Sequence, residues 1–295
     1  MSILVDENTR VVIQGITGRE ATTMSKEMIA YGTKVVAGVT PGKEGEVIHG
    51  IPVFDCVADA VRQCGANASV ISVPPAFAKD AAFEAIDAGI KFLLVLSERV
   101  PTHDVIQMVS FANQRNARIV GPNSGGIISP GKTRLGYLGG NNPRGAFTPG
   151  PIGVVSRSGG MSVEISNLLT THGLGQSTVI SMGGDPVTGS IYADFLELFE
   201  KDPKTQAVVF FCEPGGNREE YAAKYVREHF SKPVVVFFGG RFVDQMPGVR
   251  FGHASVIVGA GYGTTAEKAR HFREAGVSVV DSYSDIVKEL KKRLG

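Results

Sequence analysis

Cysteine is scarce, and that scarcity excludes two kinds of architecture. The three that occur, Cys56, Cys64 and Cys212, form no CxxC pair and no metal-ligand spacing. No metal site and no structural disulfide is therefore expected, and a reducing, cytosol-like compartment fits. Net charge is nearly absent: 30 Lys and Arg against 29 Asp and Glu leave +1. With no basic run either, neither nucleic acid nor a membrane surface is an expected partner. The one concentration of charge, Lys288-Glu289-Leu290-Lys291-Lys292-Arg293, reads as cations at a helix C-terminus. No apolar run reaches the length of a membrane span. The start, Met1-Ser2-Ile3-Leu4-Val5-Asp6-Glu7, turns acidic too early for a signal or transit peptide, so a cytoplasmic chain is expected. A Walker A loop, an HExxH helix and a Gly-x-Ser-x-Gly elbow are also missing.

What is abundant is glycine, 37 residues in 295, gathered at the ends of apolar runs, where α/β proteins bind phosphates. At 43% apolar, the chain is long enough for two α/β domains with real cores. In the first half, Val11–Gln14, Lys34–Val39, Ala68–Val73, Phe92–Leu96 and Arg118–Val120 read as strands. The helices expected between them are Arg19–Tyr31, Ala76–Ala88 and Asp104–Arg115. Strands alternating with crossover helices imply a parallel sheet. From Gly121 to Pro151 the pattern breaks into Gly, Pro and Asn, which reads as a linker rich in turns. The alternation then restarts with strands Ile152–Ser156, Thr178–Met182, Ala207–Glu213, Pro233–Phe238 and Val277–Asp281. Expected helices there run roughly over 160–171, 190–200, 218–230, 265–275 and 284–294. The expectation is two doubly wound domains, with no room for a third.

Four places carry candidate chemistry. Gly15-Ile16-Thr17-Gly18-Arg19-Glu20-Ala21 joins a strand to a helix and offers backbone N–H groups and a positive helix end to a phosphate. An NAD site expects an acid at the end of the next strand. Here that strand runs into Thr40-Pro41-Gly42-Lys43, so a cation stands there, which suits the extra phosphate of NADP or coenzyme A as well as a solvated loop. Ser156-Arg157-Ser158-Gly159-Gly160-Met161-Ser162-Val163-Glu164 repeats strand, glycine turn and helix start, as an anion site or a well-capped helix. Glu213 ends a strand at the rim where open α/β sheets bind ligands, and could orient an imidazole. His253, in Gly252-His253-Ala254 and close to Gly259-Ala260-Gly261-Tyr262-Gly263, has only small neighbours in sequence. It is therefore free to act as nucleophile or proton carrier. The other five histidines read as surface residues.

In this order, these pieces resemble the α subunit of succinyl-CoA synthetase and the wider nucleoside-diphosphate-forming acid–CoA ligases. The matching stretches include Gly38-Val39-Thr40-Pro41-Gly42-Lys43, Gly121-Pro122-Asn123, Val155-Ser156-Arg157-Ser158-Gly159, Gly183-Gly184-Asp185-Pro186 and Phe251-Gly252-His253-Ala254. The resemblance implies a Rossmann-like CoA-binding domain over 1–125, a linker over 126–150 and a flavodoxin-like ligase domain over 151–295. It implies that Thr17, Gly18, Arg19, Glu20, Lys43, Leu96, Ser97 and Glu98 contact coenzyme A. His253 would carry the phosphoryl group, Glu213 would orient it, and Ser158-Gly159-Gly160 would cradle the phosphate. ATP or GTP with Mg2+ would bind on an obligatory β subunit of the ATP-grasp type, in an αβ or α2β2 assembly. The reaction implied runs from nucleotide to phosphohistidine to acyl phosphate to acyl-CoA.

Departures from the family pattern fall near the acid. Its usual Ser-Arg-Ser-Gly-Thr-Leu-Thr-Tyr-Glu loses a hydroxyl and a tyrosine to Gly160 and Val163. Ser124 and Gly125 replace a cysteine and a proline, and Pro214 replaces an isoleucine. The Ser-Gly-Gly-Met-Ser run and the paired glycines near Gly139-Gly140 look like ATP citrate lyase and the citryl-CoA synthetase small subunit, where a glycine pair leaves room for a tricarboxylate. Succinate is the expected small carboxylic acid, with citrate the alternative. Two other classes stay open: an NADP-dependent oxidoreductase, and a non-catalytic CoA-binding module.

Overall fold

The computed structural model describes residues 2–249, 251–259 and 263–295. The chain builds two seven-stranded sheets flanked by helices. In the first, the elements are β1 (Arg10–Gln14), α1 (Arg19–Tyr31), β2 (Lys34–Val39), β3 (Val47–Ile48), β4 (Ile51–Phe54), α2 (Val57–Cys64), β5 (Ala68–Ile71), α3 (Ala78–Asp87), β6 (Phe92–Val95), α4 (Thr102–Gln114) and β7 (Arg118–Val120). Their sheet order is β3-β4-β2-β1-β5-β6-β7, parallel apart from β3, which pairs antiparallel with β4. The central strands are unbroken apolar runs because helices cover both faces: Val11, Val12, Ile13 and Val70 are all fully buried. The neighbours of β1 are β2 on one side and β5 on the other, so the strand order reverses there. A crevice opens at such a point, outside the carboxyl ends of the strands.

The second sheet repeats the plan. Its elements are β8 (Gly126–Ser129), β9 (Thr133–Gly136), α5 (Pro143–Ala146), β10 (Pro149–Ser156), α6 (Gly159–Thr171), β11 (Gln176–Ser181), α7 (Tyr192–Lys201), β12 (Ala207–Cys212), α8 (Arg218–His229), β13 (Val234–Phe238), α9 (Thr265–Glu274), β14 (Ser278–Val280) and α10 (Asp285–Leu294). The order is β14-β13-β12-β10-β11-β8-β9, and the reversal falls at β10, between β12 and β11. Both reversals point their carboxyl ends toward a common space between the sheets, which is where the cavity described below lies.

The stretch expected as a turn-rich linker needs correcting. Residues 126–136 form the hairpin β8–β9, which extends the second sheet through an antiparallel pairing of β8 with β11. The driving force is burial: Ile127, Ile128 and Leu135 are fully excluded from solvent. Each strand is only four residues long, the first opening and the second closing on glycine, so neither produces a readable period. The elements β3, β4 and α2 were also not anticipated. Among the described residues no helix is long and apolar enough to cross a membrane.

One hydrophobic cluster spans both halves, joining Met24 and Met28 of α1 to Ile127 and Leu135 of the hairpin and to Val155 and Ile180 of the second sheet. Polar ties reinforce it. The Ser190 hydroxyl donates to the Ile119 carbonyl at 2.7 Å, and the Thr33 hydroxyl donates to the Arg134 carbonyl at 2.7 Å.

Candidate functional site

The turn after β1 is shaped by close backbone approach. Gly15 has φ +83°, and a Cβ there would overlap the Ser72 carbonyl and lie 3.0 Å from Val73 Cγ1. Helix α1 then starts at Gly18 with no side-chain cap. Its first N–H groups have no acceptor within the helix, which leaves them for a ligand or water. The turn after β10 is built differently. Ser158 caps α6 by accepting from the Met161 N–H at 3.3 Å, while its own N–H donates to Ser156 Oγ at 3.0 Å. The Ser162 hydroxyl donates back to the Ser158 carbonyl at 2.8 Å, fixing the first turn. Gly159 and Gly160 present bare backbone.

The two helix starts face one cavity of 1160 Å³, ample for a nucleotide-sized ligand. Of the residues expected to act, Gly18, Arg19, Glu20, Leu96, Ser97, Glu98, Ser158, Gly159, Gly160 and His253 all line it. Three do not. Thr17 pairs its hydroxyl with that of Thr40 at 3.2 Å. Glu213 lies behind His253. Lys43 sits half-exposed on the loop after β2, where Glu46, 2.8 Å away, raises its pKa by hydrogen bonding and charge. Val163 lines a second, smaller cavity of 410 Å³ that shares Gly125, Tyr137, Gly159 and Gly160 with the first.

His253 Nδ1 lies 2.7 Å from Glu213 Oε2. An ionised carboxylate only accepts, so the proton sits on Nδ1 and the lone pair on Nε2. The imidazole is about one-quarter exposed and Glu213 is mostly buried. The ring packs directly on Gly184, leaving no space for a side chain there. Arg250, Ala260, Gly261 and Tyr262, part of the glycine-rich surroundings of His253 in sequence, lie outside the described residues.

Behind this pair is a buried ionic network that the motifs did not disclose. Arg157 donates through Nη1 to the carbonyls of Glu213 (3.2 Å) and Pro214 (3.3 Å) and to the Glu219 carboxylate (3.2 Å), and through Nη2 to the Ser255 hydroxyl. Ser255 in turn donates to the Gly184 carbonyl at 2.6 Å. Burial opposes the charge on Arg157, yet the carboxylates of Glu219 and Glu213 raise its pKa on balance. Burial opposes the charge on Glu219 as well, but Arg157 and Lys268 beside it hold its pKa below the ordinary carboxylate value. Arg218, packed near Arg157, has its pKa lowered to about 10 by burial and that neighbouring cation. Burial pushes the Cys212 thiol pKa far up, so this neighbour of Glu213 is no nucleophile.

Sequence reasoning missed Arg157 as a clamp, together with Gly184, Ser255 and the cavity-lining Tyr137 and Asn123. The only signal for them was that most lie inside or beside stretches that match the family. Among the described residues no cluster of His, Cys, Asp or Glu could hold a metal ion.

Two family models match the chain: a CoA binding domain over residues 6–99 and a CoA-ligase domain over residues 155–278. The succinate–CoA ligase [ADP-forming] subunit alpha 1 of Archaeoglobus fulgidus is 45% identical over 294 residues, covering 100% of this chain and 99% of that protein. The corresponding α subunit of Aquifex aeolicus is 44% identical, with coverage of 100% and 95%. Among solved structures, ATP citrate lyase from Methanothrix soehngenii, in complex with citrate and coenzyme A, superimposes with a TM-score of 0.90 at 24% identity. The match covers 99% of this chain and 51% of that one, so the chain spans about half the length of that enzyme. A dinucleotide-forming acetyl-coenzyme A synthetase of Ca. Korarchaeum cryptofilum gives a TM-score of 0.71 at 19% identity, over 94% of this chain and 58% of that one. At these identities the structural matches speak to the fold alone.

Proposed function

The chain belongs to the family of succinate–CoA ligase α subunits, and from that premise we propose that it is the α subunit of an ADP-forming acid–CoA ligase whose acid is succinate. It works with a β subunit of the ATP-grasp type, which holds ATP with Mg2+. The observation that carries the reading is the 2.7 Å contact of His253 Nδ1 with Glu213.

That contact dictates the chemistry of the ring. With Nδ1–H donated to Glu213, the Nε2 lone pair is the nucleophile toward a γ-phosphoryl group. A P–N bond forms as the P–O bond to the nucleoside diphosphate breaks. The positive charge that develops on the ring is met by Glu213. The first turn of α6, with Gly159 and Gly160 bare, offers N–H groups and a positive helix end to the phosphoryl oxygens. The acid's carboxylate then takes the phosphoryl group from Nε2 and the imidazole returns to neutrality.

Coenzyme A supplies the thiol that accepts the acyl group. The residues present fit it: the uncapped start of α1 at Gly18 and the Gly15 turn form a phosphate cradle at the mouth of the large cavity. Arg19, Glu20, Leu96, Ser97 and Glu98 line the space beyond. Thr17 braces the turn through Thr40, and Lys43 is a flexible cation for the coenzyme's 3′-phosphate.

The acid's chain lies toward the smaller cavity, beside Gly160 and Val163. A Cβ at position 160 would meet nothing nearer than Ser158 Oγ at 3.8 Å, so glycine there leaves open space where a side chain would fit. The discriminating experiment is acid-dependent ADP release by the αβ complex with succinate, citrate and malate in parallel. Turnover with succinate is expected. Turnover with citrate alone would replace the substrate assignment, and failure of all three would overturn the reading.

A further inference from the structure

The turn Tyr137–Gly140 separates the two cavities. Tyr137 lines both, and Gly139 and Gly140 line the smaller one. The turn is held in shape by Tyr137 N–H donating to the Gly125 carbonyl at 2.9 Å and Gly140 N–H donating to the Tyr137 carbonyl at 3.1 Å. Behind it lies Arg134, a fully buried arginine with no place in the chemistry above. Its Nη1 donates to the Gly140 carbonyl at 2.8 Å, and its Nη2 donates to Glu27 Oε2 at 3.0 Å. Its Nε is buried without a hydrogen-bond partner among the described residues.

A buried guanidinium is costly unless paired, and its planar fork holds its partners in fixed directions. Glu27 belongs to α1, the helix whose other end lines the large cavity. The same end of α1 holds the hairpin in three further places. Thr33 Oγ1 accepts from the Arg134 N–H at 3.1 Å, the Tyr31 hydroxyl accepts from the Gly131 N–H at 3.0 Å, and Arg144 lies over the Tyr31 ring at 4.7 Å while donating to its carbonyl at 2.9 Å. Those three ties fix the hairpin and the segment beyond the turn. Of these ties from Arg134 and the end of α1, the Arg134–Gly140 bond is the one that reaches the turn itself.

We propose that Arg134, neutralised by Glu27, is a positioning residue for the acid, which sets the Tyr137–Gly140 turn as the partition between the acid and coenzyme A cavities. The proposal rests on the assignment of the two cavities given above. Loosening the turn widens or tilts the acid cavity without touching His253, Glu213 or the start of α6. The effect is therefore confined to acid binding and acyl transfer, and phosphorylation of His253, which precedes both, is spared.

The test uses the αβ complex carrying Arg134→Lys, which keeps the charge but loses the fork, and Glu27→Ala, a partly exposed change that removes the counter-charge without opening the core. Two quantities are read in each: the rate of acid-labile labelling from γ-labelled ATP, and KM for the acid and for coenzyme A. Loss of one charge-assisted hydrogen bond predicts an acid KM raised about tenfold. Labelling rate and the KM for coenzyme A should stay within about twofold. An unchanged acid KM in both variants overturns the proposal. A labelling rate that falls in step with acid use overturns it too, because the pair would then only hold the fold. A wild-type complex that takes no label overturns the phosphohistidine reading itself, and the proposal with it.

Discussion

Replacing Gly184 by alanine adds one methyl group at a spot that the His253 ring already fills. A Cβ built there lies 2.8 Å from His253 Cβ and nearer still to Cγ and Cδ2 of the ring. Ordinary carbon–carbon contact is about 3.5–4.0 Å, so the imidazole has to move by roughly 1 Å or more. The hydrogen bond to Glu213 starts at 2.7 Å, and displacement of that size breaks it. Misplacing a reacting group by about 1 Å costs on the order of a hundredfold in rate. The overpacking itself costs about 1–3 kcal/mol, which a domain of this size tolerates. The assay is the rate of acid-labile phosphate incorporation by the αβ complex, measured beside its melting temperature and its affinity for coenzyme A. The expected result is a labelling rate down about a hundredfold, with a folded complex that still binds coenzyme A. A folded Gly184→Ala complex that labels at the wild-type rate would refute the idea that the packed ring position governs transfer.

Glu213→Gln removes the acceptor that fixes the tautomer, and labelling should fall by about a hundredfold or more, read in the same assay. Glu219→Gln leaves Arg157 and Lys268 short of a counter-charge, and the melting free energy at neutral pH should drop by about 3–5 kcal/mol. Because the folded-state pKa of Glu219 is depressed, its stabilisation is complete above the ordinary carboxylate value and is lost as pH falls through the folded value. Acid melting curves of wild type should therefore be steeper than those of Glu219→Gln, and parallel curves would contradict the assignment. Lys43→Ala should raise the KM for coenzyme A by about two- to fivefold, as for an exposed ion pair, and leave that for 3′-dephospho-coenzyme A unchanged. Equal effects on both would place Lys43 away from the 3′-phosphate.

The parts of this molecule that were legible in the sequence are those with a local physical signature. Val11-Val12-Ile13 and Val208-Val209-Phe210-Phe211 announce strands buried on both faces. Gly15–Gly18 and Ser158–Gly160 announce phosphate-type turns because strand, glycine and helix start are contiguous. The hairpin β8–β9 was hidden because its strands are four residues long and its stabilisation comes from pairing with β11, some fifty residues later. The pairing of His253 with Glu213 spans 40 residues and was reached through the family resemblance, not through spacing. Arg157 illustrates the remaining gap. Between two serines in a glycine turn an arginine can face either solvent or the interior, and folding buries this one as the hub of the rim loop, Ser255 and Glu219. Nothing local distinguishes those outcomes, since the partners lie 56 to 98 residues away.

The central claim is that His253 carries a phosphoryl group between nucleotide and acid. The most direct measurement is phosphorus NMR of the αβ complex after incubation with ATP and Mg2+, for wild type and His253→Asn. The account predicts a phosphohistidine resonance at Nε2 in the wild type that disappears on adding acid and coenzyme A, and no such resonance in the variant. A wild-type complex that releases ADP with acid and coenzyme A but never shows that resonance, or a variant that retains it, would contradict the account.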